Sequence, residues 1–115
     1  MVSAVLFPPM QVNCAHAERE LVALLRQHGF QVQRAFDLDR SRAPDPRVRC
    51  PHHGTTRCTC RLSTYLVYTA NGLLLGVLVL QGHDRRTRLR WNPTTPQAAA
   101  VETLMRAWAR AYTRT

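Results

Sequence analysis

The stretch Cys50-Pro51-His52-His53-Gly54-Thr55-Thr56-Arg57-Cys58-Thr59-Cys60 gathers three of the chain's four cysteines and two of its five histidines. Thiolate and imidazole are the ligands that select zinc, Cu(I) or iron–sulfur clusters, and a tetrahedral site needs four of them within bonding distance. Cys50, His53, Cys58 and Cys60 form such a set. Cys50 and His53 have CxxH spacing, which puts two ligands on one side of a tight turn. Cys58 and Cys60 have CxC spacing, so both thiolates reach one ion only if the chain bends between them. His52 either replaces His53 or hydrogen-bonds beside the site. The expectation is one structural zinc ion, with iron–sulfur and Cu(I) as alternatives. A fully protein-ligated zinc leaves no open position for catalysis.

Three further groups have chemistry in reach. Cys14 follows Asn13, a helix N-cap candidate, and a thiol at a helix N-terminus is activated by the unsatisfied N–H groups there. The opposing reading is a small buried residue. His83, between Gly82 and Asp84, is either an acid/base partner of that carboxylate or an ordinary turn residue. The third group is arginine. All sixteen basic residues are Arg and the net charge is +9. Such a charge points to polyanionic partners such as nucleic acid, although a GC-rich genome produces the same arginine skew. Arg86, Arg88 and Arg90 alternate along one segment, and Arg47, Arg49, Arg57 and Arg61 surround the ligand cluster. Together they form a candidate polyanion-binding face that lies near Trp91 and Tyr68, as in stacking-plus-charge surfaces for single strands. No nucleophile elbow, phosphate loop, dinucleotide fingerprint or two-histidine metalloprotease helix is present. A binding module is therefore expected ahead of a thiol- or metal-dependent enzyme using Cys14 or the Cys-His loop.

These residues need elements to position them. At 115 residues the chain is expected to be a single domain, 1–115. Ala4 to Phe7, stopped by Pro8-Pro9, reads as a first strand buried on both faces. Asn13 then caps a helix whose Ala17, Leu21, Leu24, Leu25 and His28 recur at helical spacing, with Gly29 closing it. Phe30 to Phe36 alternates as a strand in which Arg34 breaks the apolar face. This β-α-β order predicts a parallel crossover. Residues 37–62 carry Pro44, Pro46, Pro51 and Gly54 and no sustained period, which predicts an irregular insertion pinned by the metal.

Ser63 to Ala70 and Leu73 to Leu80, separated by Asn71-Gly72, predict a hairpin with a type I′ turn. The second run has no polar face, so it is expected at the centre of the sheet, covered on both sides by helices or by a second copy of the chain. Thr87, Leu89 and Trp91 form the packing face of a third strand. Thr95 and Pro96 open a final amphipathic helix carrying Val101, Leu104, Met105, Trp108, Ala109 and Tyr112. The predicted fold is α/β (α+β): a β-α-β unit, a long metal-binding loop, a β-β-β meander and a C-terminal helix, giving a five-stranded mixed sheet. The first seven residues lack a basic leader and the longest apolar run is short. A cytoplasmic protein with no membrane partner is expected.

Overall fold

The computed structural model describes residues 4–37, 61–83 and 85–113. Five strands form one sheet: β1 (Val5–Leu6), β2 (Gln31–Asp37), β3 (Arg61–Tyr68), β4 (Leu74–His83) and β5 (Arg86–Pro93). Their spatial order is β1-β5-β4-β3-β2, and every neighbouring pair is antiparallel. The α+β class holds, whereas the mixed sheet does not. β1 and β2 run the same way, as the β-α-β pattern implies, but they occupy opposite edges with three strands between them. Helix α1 (Cys14–Gln27) therefore carries the chain across the whole sheet.

β1 is also smaller than expected. Two residues pair with β5, and Leu6 is 74 % exposed, because the strand sits at an edge with only one face against the core. The chain beyond the two prolines still follows β5. Met10 exchanges backbone hydrogen bonds with Thr87, and the Thr87 hydroxyl donates to the Val12 carbonyl at 2.7 Å.

The Asn13 side chain accepts from the backbone N–H groups of Ala15 and His16, so the predicted cap is in place. Gly29, at φ 88°, ends the helix in the left-handed conformation that glycine adopts most cheaply. The β3–β4 hairpin forms, but not through a type I′ turn. Gly72 N–H donates to the Thr69 carbonyl and Thr69 N–H to the Leu73 carbonyl, and Gly72 has φ 92°. This is a three-residue loop closed by a glycine bulge. The Thr69 hydroxyl accepts from Leu73 N–H at 3.0 Å and fixes that alternative.

Thr95 caps the last helix through Gln97 N–H, and Pro96–Ala98 form a 3₁₀ turn that runs into α2 (Ala99–Ala109). Both helices lie on one face of the sheet. Ala17, Leu21 and Leu25 of α1 meet Val101, Met105 and Ala109 of α2 over Val67, Leu78, Leu80, Leu89 and Trp91 in one core. β4 is central, as expected. Among the described residues, however, no helix covers its other face, where Val77 and Val79 are half-buried.

Candidate functional site

The alternation of β5 separates two surfaces. Thr87, Leu89 and Trp91 are buried under the helices, while Arg86, Arg88 and Arg90 are exposed on the opposite face. In register beside them on β4 stand His83, Gln81 and Val79. Leu6, Leu62, Val79, Gln81, Arg88 and Arg90 line a cleft of about 490 Å³ on this side. Arg90 donates through Nε to the Asn92 carboxamide at 3.1 Å, which holds its guanidinium along the strand. The face thus combines a row of cations with an apolar floor. It can attract polyanions and offer apolar area to whatever the anions are attached to.

The other expected members of this face stand differently. Arg47, Arg49 and Arg57 lie outside the described residues, as do Cys50, His52, His53, Cys58 and Cys60. Arg61 opens β3, where it pairs in register with Gly82. Asp37 pairs with Ser63, so residues 38–60 join two adjacent antiparallel strands. Both flanking residues lie at the end of the sheet where β4 turns into β5, with Arg61 beside Gly82 and Asp37 on the edge strand beyond β3. Among the described residues, no group of three His, Cys, Asp or Glu side chains converges on a common metal position.

Cys14 occupies the first position of α1, where its thiol would be activated if solvent reached it. The residue is 4 % exposed and belongs to the core, which favours the packing reading over the nucleophile. Nearby His16 faces solvent and contacts Glu20 at 3.1 Å.

One constellation escaped sequence reasoning. Glu18, 2 % exposed, accepts a 2.5 Å hydrogen bond from the Tyr65 hydroxyl. Arg34 donates to the same hydroxyl at 2.9 Å, approaches the Glu18 carboxylate at 3.5 Å, and lies over the Tyr65 ring. Burial, followed by the hydrogen bond to the Glu18 carboxylate, pushes the Tyr65 phenol above its usual value of 10.0. Two signals in the sequence pointed here. Arg34 interrupts an otherwise alternating strand. Glu18 falls three residues before Leu21 and seven before Leu25, within the apolar stripe of α1. Each is an ionic residue on a packing face, and each explains the other.

A second carboxylate ties α1 to the C-terminal end of the chain. Glu20 accepts from Trp108 Nε1 at 3.1 Å and from the Tyr112 hydroxyl. The Tyr112 bond is the main cause holding the Glu20 carboxyl below its usual value, with Trp108 and His16 adding to it against the opposing effect of burial. The same bond raises the Tyr112 phenol.

No protein-family model, curated protein or solved structure matches the chain. No helix among the described residues is long and apolar enough to cross a membrane.

Proposed function

We propose that this protein is a small binding module in which the sheet face opposite α1 and α2 takes a polyanion, with single-stranded nucleic acid as the ligand class. In this reading Cys50, His53, Cys58 and Cys60 hold one structural zinc ion in the segment between β2 and β3. The observation that carries the reading is the row Arg86, Arg88 and Arg90, all exposed on one strand beside half-buried Val77 and Val79. Guanidinium groups bind phosphates bidentately, and apolar area beside them suits unpaired bases, which a duplex keeps stacked inside; Trp91, expected beside the arginines, is buried on the opposite face. Asp37 and Arg61, which flank residues 38–60, lie at the sheet end of the β4–β5 turn, and this supports a contribution from Arg47, Arg49 and Arg57 to the same face.

The test is fluorescence anisotropy with a single-stranded oligonucleotide and the matching duplex over a range of salt. Single strand is expected to bind more tightly. Replacing Arg88 and Arg90 together with Ala should flatten the log–log salt dependence by about 1.4, since each lost phosphate contact removes roughly 0.7 for a single strand. A salt slope unchanged by the double substitution overturns the reading.

A homo-oligomer joined through this face is the competing proposal, favoured by Leu6, a large apolar side chain 74 % exposed on the cleft wall. Sedimentation decides it: a monomer at micromolar concentration removes the oligomer.

A further inference from the structure

The Glu18–Tyr65–Arg34 network forms one wall of a cleft of about 530 Å³ between α1 and the edge strand β2, on the side of the sheet away from Arg88 and Arg90. Arg19 and Arg26 project into the cleft from α1, one helical face apart by seven residues, and Arg34 faces them from β2. All three arginines are exposed to solvent within it. Arg26 also donates through Nη2 to the Val32 carbonyl of β2 at 2.9 Å, which fixes its guanidinium across the cleft. Arg19 makes no ion pair among the described residues. Among the described residues, three guanidinium groups face one carboxylate, an excess of two positive charges in a concave site. The carboxylate is itself turned to the Tyr65 hydroxyl and Arg34, so it orients donors and leaves the opening cationic.

We propose that this cleft is a second binding site, specific for a phosphate monoester of a small organic molecule. The dianionic phosphate matches the excess charge, and its three terminal oxygens accept from forked guanidinium donors. The volume lies in the range of small-molecule sites, roughly 300–1,000 Å³, and exceeds what bare phosphate fills. Ala15, Val22 and Ala23 supply an apolar wall for the organic part. Arg26 already occupies the Val32 carbonyl, which disfavours addition of a peptide strand at that point of the edge and favours a compact ligand. Glu18 is a positioning residue, holding Tyr65 and Arg34 in place from its buried seat on α1.

The site is independent of the nucleic-acid face, and the experiment keeps the two apart. Glycerol phosphate, inorganic phosphate and succinate are titrated into the full chain by calorimetry at constant ionic strength. The expected order is glycerol phosphate tightest and inorganic phosphate weaker, because only the ester uses the apolar wall. Arg19→Ala, which breaks no hydrogen bond or ion pair among the described residues, should weaken the ester roughly tenfold or more, the cost of one charge-assisted hydrogen bond. Arg26→Ala should do the same, with the fold checked by circular dichroism. Arg88→Ala, on the opposite face, should leave the affinity unchanged. Absence of saturable binding at millimolar ester, tighter binding of succinate than of the ester, indifference to Arg19→Ala, or equal weakening by Arg88→Ala each overturns the proposal.

Discussion

Gly76 shows how one residue can govern the centre of the sheet. A Cβ added there would lie 2.7 Å from Trp91 Cζ2 and Cη2 and from the Asn92 carbonyl oxygen, closer than real contacts allow. The indole of Trp91, fully buried, leans along β5 over the space that glycine leaves. Its ring nitrogen has no hydrogen-bond partner among the described residues, so the side chain contributes through apolar area and packing. Gly76→Ala should therefore destabilise the fold by about 1–3 kcal/mol through overpacking, despite the better strand entropy of alanine. Chemical denaturation measures this, and a variant as stable as the parent would show that the indole can move aside. Glycine at 76 was visible in the sequence, within an otherwise apolar run. That Trp91 needed the room was not, because the two residues are brought together only by the β4–β5 register.

Helix α1 carries two carboxylates with opposite tasks, both within its first two turns. Glu18 faces inward to Tyr65 and Arg34, and Glu20 faces the end of α2, where Trp108 and Tyr112 donate to it. Both lie in the second turn of a helix that the sequence already marked out by its cap and apolar spacing. Their partners come from β3, β2 and the last turn of the chain, at sequence distances no local pattern reports. Since the folded state holds the Glu20 carboxyl below 4.5, its contribution is present above that pH and fades as pH falls through the depressed value. Thermal melts of the parent and of Glu20→Gln should differ at neutral pH and converge as pH drops below 4.5. Parallel curves over the whole range would dissociate Glu20 from the acid side of the stability profile. Above 10, the raised phenols of Tyr65 and Tyr112 act in the other direction, and their stabilisation is lost as pH rises through their folded values.

On the scale of the whole molecule, the antiparallel order changes what a metal in residues 38–60 would do. β2 and β3 are hydrogen-bonded neighbours, so the segment closes a long hairpin instead of bracing a crossover between parallel and antiparallel halves. The entropy of such a closure grows only slowly with length, and the strand pairing already meets it. A zinc ion there would order the connection and present its arginines beside the β4–β5 turn, while the core stands on α1, α2 and the sheet. Protein purified without a metal-affinity tag should contain one equivalent of zinc by elemental analysis. Cys58→Ser should lose it while the melting transition of the core persists. Absence of stoichiometric metal in the parent overturns the ligand set, and full loading of Cys58→Ser reassigns it. The helices with their caps, the β3–β4 hairpin, the central position of β4 and the alternation that exposes Arg86, Arg88 and Arg90 were legible in the sequence. Periodicity and turn chemistry act over a few residues, and one chain suffices to read them. That β1 and β2 lie at opposite edges, that both helices share one face, and that Glu18, Tyr65 and Arg34 meet emerged only in the folded chain. Strand order and side-chain encounters depend on long-range packing, in which Arg34 on an apolar strand face becomes favourable once Glu18 is buried beside it.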